Sequence, residues 1–274
     1  MSEQTVVYTA LLGGYEQLNE QPMASESDLR FVCFTDDPTL TSKSWDIVVV
    51  EPYFAEDLSR SQRYLKLLPH RHFPDAKRSL YIDNTIVLTK TPEQIISDHH
   101  RGDFTNFNHS HRSALIEEFS KVLQYGIDDA GRVYEQLNHL HNFAPEHLEG
   151  PVYWGAFMVR DHHEPEMVDF AERWWANVLR YSRRDQLSMP IALNQSGVQV
   201  NALEYGNKKS PFHRWPVAIH RQRFAPKFSA QRNMAPILLE KERLQQRLNK
   251  AEKALNNLPK TVFYRLRDRL LGSK

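Results

Sequence analysis

Residues 60–90 combine basic side chains with an acid at the end of an apolar run. The run Leu80-Tyr81-Ile82 stops at Asp83-Asn84-Thr85, and the bases ahead of it include Arg60, Arg63 and Lys66. A carboxylate where a strand ends is expected to meet a cation or a polar ligand, because an unpaired buried charge is costly. Arginine and lysine bind phosphates. The segment therefore predicts a site for a metal-bound nucleotide diphosphate, and the alternative is a plain turn formed by Asp83 and Asn84.

Short apolar runs alternate with helical patterns in the first part of the chain. Strands are predicted at 5–12, 31–35 and 45–50, and a helix at 57–68. Such runs are typical of a mainly parallel α/β sheet covered on both faces. Ligands of these sheets gather at the carboxyl ends of the strands. The polar residues that this rule places along one edge are Thr9, Asp36, Asp37 and Asp83.

Further periodic segments follow. Helices are predicted at 113–125, 131–141 and 165–181, and a strand interrupted by Gly155 at 152–159. From about 237 the pattern changes to leucine and alanine at alternating steps of four and three residues, namely Leu244, Leu248, Ala251, Leu255 and Leu258. After Pro259, residues 260–274 predict a short basic amphipathic helix. We expect one domain at 1–236 and a helical tail at 237–274.

Composition excludes several classes of protein. The chain has 274 residues with 35 Lys and Arg against 34 Asp and Glu, so bulk charge does not favour nucleic-acid binding. No apolar stretch approaches the length of a membrane-spanning helix. The single cysteine, Cys33, cannot form an internal disulfide and fits a cytoplasmic protein. The motifs GxSxG, HExxH and the Walker lysine are missing, so hydrolase, zincin and P-loop functions have no support.

Two other segments could bind a substrate. Asp185 and Gln186 follow two arginines after a tryptophan-rich helical segment, and the alternative for Asp185 is a helix cap. Between Tyr205 and Leu239 the sequence contains bases but no acid, which predicts an anion-binding wall that includes His220 and Arg221.

The sequence resembles the GT-A glycosyltransferases at the basic helix and the YID segment. It resembles more closely a glycosyltransferase-like family whose plant members include mucilage- and turgor-related proteins. The segments that carry this resemblance are residues 6–18, 30–38, 66–86 and 174–190. The resemblance implies a GT-A-like α/β fold with a mixed, mainly parallel sheet flanked by helices. The C-terminal helical tail at 237–274 lies outside the resemblance and is predicted from its own pattern.

The resemblance also implies roles for individual residues. Asp185 and Gln186 would be catalytic, Asp83 and His220 would hold Mn²⁺ or Mg²⁺, and Arg184 would steady the diphosphate or an acidic sugar. The other residues expected to bind the donor are Thr9, Ala10, Tyr15, Asp36, Arg60, Arg63, Lys66, Asn84 and Arg221. One position departs from the Asp-x-Asp pattern of GT-A enzymes, because Thr85 stands where a second Asp is usual.

The expected function is transfer of a sugar from a nucleotide-diphosphate sugar, and specifically a UDP-sugar, to a glycan or glycolipid acceptor. Thr85 keeps open a second interpretation, a non-catalytic nucleotide-sugar-binding or scaffold relative with a degenerate metal motif. A lipid-amide hydrolase, an activity described for family members, has no nucleophile motif here. The tail predicts contact with a membrane surface, which would place the enzyme on the cytoplasmic face. The alternatives are packing on its own domain and self-association with a second subunit.

Overall fold

The computed structural model describes residues 5–217 and 234–256, with the side chains of the second segment described from 241 to 254. The chain divides into two units, Met1–Gln231 and Arg232–Lys274. In the second unit the described element is one long helix, α8 (Met234–Asn256).

A seven-stranded sheet forms the centre of the first unit. Its strands are β1 (Thr5–Leu11), β2 (Arg30–Thr35), β3 (Asp46–Val49), β4 (Arg78–Ile82), β6 (Phe104–Asn108), β7 (Tyr153–Arg160) and β8 (Val200–Leu203), in the spatial order β3-β2-β1-β4-β7-β6-β8. β7 runs antiparallel to both neighbours, β4 and β6, and the other neighbouring strands pair in parallel. The predicted mixed, mainly parallel sheet is confirmed.

Helices cover both faces of the sheet, as predicted. They are α1 (Leu58–Leu67), α2 (Pro69–His72), α3 (Pro92–His99), α4 (Leu115–Gln124), α5 (Ala130–Phe143), α6 (Pro165–Arg180) and α7 (Met189–Ser196). Tyr8 and Ala10 of β1 face α1 and α6, whereas Val7 and Leu11 face the opposite core. This alternation is the two-residue period of a strand buried on both sides.

A small second sheet stands beside the large one. It pairs β5 (Val87–Leu88) with β9 (His213–Arg214) in antiparallel fashion. The pairing brings Val217 next to the turn after β4, where the Val217 amide donates to the Thr85 carbonyl at 2.8 Å.

Some predictions fall outside the described residues. They are the part of the predicted anion-binding wall that contains His220 and Arg221, and the basic helix predicted at 260–274. Among the described residues, no helix has both the length and the apolar character that crossing a bilayer requires.

Candidate active site

Asp83 lies at the carboxyl end of β4, as the sequence predicted. Its amide donates to the Ala156 carbonyl of β7 at 2.8 Å, and its carbonyl accepts from the Ile86 amide to close the turn. Side chains two residues apart on a strand share a face, so the Tyr81 hydroxyl can donate to Asp83 Oδ1 at 2.6 Å. The Asp83 side chain is 39% exposed and open to a ligand.

Helix α1 brings two cations to this edge. Arg63 and Lys66 are three residues apart and therefore lie on one face of the helix. Lys66 Nζ lies 2.5 Å from Asp185 Oδ2 and 3.9 Å from Asp83 Oδ1. Arg63 adds a guanidinium nitrogen 3.6 Å from Asp185 Oδ1. Two carboxylates and two cations thus share one site.

Asp185 is buried at the centre of this group. It opens a 3-10 turn, Asp185–Leu187, and the Trp174 indole nitrogen of α6 donates to its carbonyl at 2.8 Å. Burial acts to raise the pKa of the Asp185 carboxyl, but the charges of Lys66 and Arg63 outweigh it and hold the pKa well below its usual range. The carboxylate faces these cations and caps no helix, so the helix-cap interpretation is wrong.

Gly155 of β7 forms the wall behind these charges. A Cβ atom at this position would lie 3.2 Å from Lys66 Nζ, 3.5 Å from Asp185 Oδ2 and 3.6 Å from Gln186 Cγ. Gln186 is itself buried, and its amide nitrogen donates to the Tyr153 carbonyl at 3.0 Å. Because Gly155 has no side chain, the Lys66–Asp185 pair can lie directly against β7 at this position.

Asn84 and Thr85, the two residues that follow Asp83, have structural roles. Asn84 is buried, and its amide group binds the Asn19 amide and the Glu16 carboxylate, at 2.8 and 2.9 Å. Thr85 Oγ1 accepts from the Trp215 indole nitrogen at 3.0 Å. In this structure both side chains hold neighbouring loops, which differs from the donor contact expected of Asn84.

The other residues predicted to bind the donor are placed as follows. Arg60 donates to Asp57 and to the carbonyls of Val178 and Tyr181, so its guanidinium is used to hold the end of α6. Thr9 and Ala10 are buried within β1. Asp36 accepts from the Gly13 amide at 2.8 Å, and Tyr15 is half-buried in the loop that follows β1. His220 and Arg221 lie outside the described residues.

A second charged group lies beside the turn that carries Asp185. Glu118 of α4 is fully buried, and its two oxygens lie 2.7 Å from a guanidinium nitrogen of Arg112 and 3.0 Å from Nε of Arg184. Arg184 is 27% exposed, and its charge helps to lower the pKa of the Asp185 carboxyl. Sequence reasoning missed Glu118 and Arg112, because each is an ordinary charged residue at a helix end.

Comparison with known proteins decides the family. Residues 1–204 match the family described as TOD1/MUCI70, glycosyltransferase-like domain. The chain belongs to the TOD1/MUCI70 glycosyltransferase-like family. It is 27% identical over 167 residues to a protein of Arabidopsis thaliana named probable hexosyltransferase MUCI70. That match covers 57% of this chain and 29% of the Arabidopsis protein, so the chain spans less than a third of that relative's length.

Solved glycosyltransferases resemble this TOD1/MUCI70 chain at low identity. The apo WbbM bifunctional glycosyltransferase has a TM-score of 0.41 at 9% identity, over 74% of this chain and 39% of its own. Mouse xyloside xylosyltransferase 1 has a TM-score of 0.44 at 10% identity, over 73% and 85%. Core-mannan synthase A from Aspergillus fumigatus, in its Mn/GDP form, has a TM-score of 0.43 at 9% identity, over 83% and 82%.

The site of this TOD1/MUCI70 chain can offer a divalent cation one open carboxylate, Asp83. Among the described residues, no three His, Cys, Asp or Glu side chains are grouped so as to hold a metal ion. Asp185 is paired with Lys66, and the Thr85 hydroxyl accepts from Trp215. Mg²⁺ is commonly held by one or two carboxylates together with substrate phosphates and water. The residues therefore fit a cation that arrives with a diphosphate.

Proposed function

We propose that this protein transfers a hexose from a nucleotide-diphosphate sugar, with a UDP-sugar as donor, to a glycan or glycolipid acceptor. One observation carries the proposal. The buried Asp185 carboxylate lies between Lys66 and Arg63, next to the open Asp83, at the edge of the sheet where such folds bind ligands. Membership in a glycosyltransferase-like family supports the same reaction.

The two cations of α1 would bind the diphosphate of the donor. In the free protein they are balanced by Asp185 and Asp83. An incoming diphosphate offers them additional anionic oxygen atoms, and fixed cations in a site shielded from water stabilise a departing diphosphate most strongly. Arg63 suits this role because its side chain is 21% exposed and a guanidinium binds phosphate oxygens in a bidentate manner. A divalent cation at Asp83, with His220 as a second expected ligand, would add to this stabilisation.

Asp185 and Gln186 would act on the donor sugar. A carboxylate kept ionised by buried cations is a strong acceptor for a sugar hydroxyl, and this is the role proposed for Asp185. Gln186 lies on the same turn and would face the anomeric carbon, an arrangement that favours retention of configuration. Both groups are buried, so little side-chain freedom would be lost when the sugar binds.

A panel of nucleotide sugars tests this proposal. The purified chain is titrated with UDP- and GDP-sugars by calorimetry, with and without Mn²⁺, and release of the nucleoside diphosphate is then followed. We expect binding and slow hydrolysis of at least one UDP-sugar. Binding without any turnover, even with acceptors present, would instead favour a non-catalytic binding module, the alternative suggested by the use of Thr85 to hold Trp215.

The cytoplasmic face of a membrane is the proposed location. The basic amphipathic pattern of residues 260–274 supports this location, because such a segment suits an anionic lipid surface. Sedimentation with anionic liposomes, compared between the full chain and a chain ending at residue 258, tests it. Equal sedimentation of the two proteins would contradict the proposed role of this segment.

A further inference from the structure

Helix α8 carries an apolar stripe along one side. Every side chain described on it, from 241 to 254, is exposed, and Leu244 and Leu248 are 51% and 52% exposed. A helix gains most of its stability by packing an apolar face against another surface. A 23-residue helix with two half-exposed leucines one turn apart therefore needs a partner surface.

The spacing of this stripe is that of a coiled coil. Leu244, Leu248 and Ala251 follow each other at steps of four and three, and the sequence continues the pattern to Leu255 and Leu258. In heptad notation Leu248 occupies an a position, and Leu244 and Ala251 occupy d positions. A stripe with this period fits the same stripe on a second helix.

Charges beside the stripe select the orientation of the second helix. With this register Arg247 occupies a g position and Glu252 the e position of the next heptad. In a parallel pair each Arg247 faces Glu252 of the other copy, whereas an antiparallel pair brings like charges together. The two residues are five apart, too far to pair on their own helix, and neither is ion-paired within the described residues.

We propose that α8 binds α8 of a second copy of this chain as a parallel two-stranded coiled coil, which makes the protein a homodimer. Leu244 and Leu248 each pack against their own counterparts, and two Arg247–Glu252 pairs flank them. The polar Lys241, one heptad before Leu248, is a register-setting residue at an a position. The seam is short, so the dimer dissociates on dilution. This inference does not depend on the reaction proposed above.

Cysteine cross-linking of the full-length chain tests the pairing and its direction. The natural Cys33 is buried, so the wild type serves as a background control. Leu248→Cys places a thiol at the seam, and Gln246→Cys places one on the outer face of the same helix. We expect a disulfide-linked dimer from Leu248→Cys alone. Equal cross-linking of both variants, or of neither, would overturn the parallel dimer.

Solution mass provides a second test that requires no new cysteine. Sedimentation equilibrium of the wild type should give twice the 32.1 kDa chain mass at high concentration. Arg247→Glu should weaken the association at least tenfold, and Arg247→Glu with Glu252→Arg should restore it. A wild type that stays monomeric at all concentrations overturns the proposal. Monomers that instead bind anionic liposomes through α8 would identify a membrane as the partner surface and overturn it as well.

Discussion

Lys66 Nζ and Asp185 Oδ2 lie 2.5 Å apart, although the two residues are 119 positions apart in the sequence. The contact joins the last turn of α1 to the 3-10 turn after α6, and both side chains are almost completely buried. It also brings the ammonium to 3.9 Å from Asp83. Lys66 therefore lies close to both acids of the site, Asp83 at the end of β4 and the buried Asp185. The proposed chemistry depends on this arrangement.

Removal of the Lys66 charge should destabilise the fold. In Lys66→Met the Asp185 carboxylate stays buried with Arg63 at 3.6 Å as its nearest remaining cation. Breaking a buried pair by removing one partner costs about 3–5 kcal/mol, and we expect a loss of this size in the free energy of unfolding. Urea titration measures it. The double variant Lys66→Met with Asp185→Asn removes both charges of the buried pair and should recover part of the loss, since Arg63 then loses the carboxylate 3.6 Å away. A single variant as stable as wild type would show that the pair is not formed.

Gly155→Ala should impair the reaction while leaving the fold stable. The added methyl group meets the flexible end of Lys66, which can move, so we expect the free energy of unfolding to change by less than about 1 kcal/mol. Displacing the ammonium by a fraction of an ångström should lower kcat/KM by about tenfold or more. Gly206→Ala is the matched control, since a Cβ there makes an ordinary contact with the Lys209 carbonyl at 3.5 Å. Equal activity of the two variants would contradict a role for Gly155.

The parallel half of the sheet could be predicted because β1, β2 and β4 are continuous apolar runs buried on both faces. β6 was missed for the opposite reason. Its sequence FTNFN places Thr105 and Asn106 inside the protein, where the Thr105 hydroxyl bonds the His100 ring at 2.9 Å. Polar residues whose partners are supplied by tertiary structure do not give the periodicity of a strand.

The candidate site could be predicted residue by residue, but not as an arrangement. Asp83 and Lys66 could be predicted because basic residues precede an apolar run that ends at an acid. The contact of Lys66 with Asp185 depends on how α6 packs, which no local pattern contains. Gly155 was visible in the sequence only as an interruption of a strand, because the space that a missing side chain leaves depends on its neighbours.

Asp83→Asn should remove the metal-dependent part of donor binding. The side chain is 39% exposed, and the amide can still accept from Tyr81, so the fold should be retained. A neutral amide is a weaker ligand for a hard cation than a carboxylate. We expect Mn²⁺ to strengthen UDP-sugar binding by wild type but not by the variant in calorimetry. Asp46→Asn, an exposed acid at the start of β3, is the control. Equal Mn²⁺ dependence in all three proteins would refute the role of Asp83.

Acid should destabilise the first unit through His162. Burial and the nearby Arg160 lower the pKa of this imidazole to about 3, and its Nδ1 has no hydrogen-bond partner among the described residues. The unfolded chain takes up its proton near pH 6.5 and the folded chain only near pH 3. The free energy of unfolding therefore decreases as pH falls through that window. His162→Gln should reduce this decrease, as measured by Tm between pH 7 and pH 4. An identical pH dependence in variant and wild type would contradict it.

Gln186→Ala should lower kcat by about a hundredfold while changing KM little. An interaction that is stronger in the transition state than in the bound substrate appears in kcat, and loss of one positioned polar group costs about 10²–10³ in rate. The side chain bonds only the Tyr153 carbonyl among the described residues, so its removal should leave the Lys66–Asp185 pair intact. Gln195→Ala, on the exposed side of α7, controls for the substitution itself. A variant that binds donor more weakly but turns over normally would assign Gln186 to substrate binding, and the proposed role beside the anomeric carbon would be wrong.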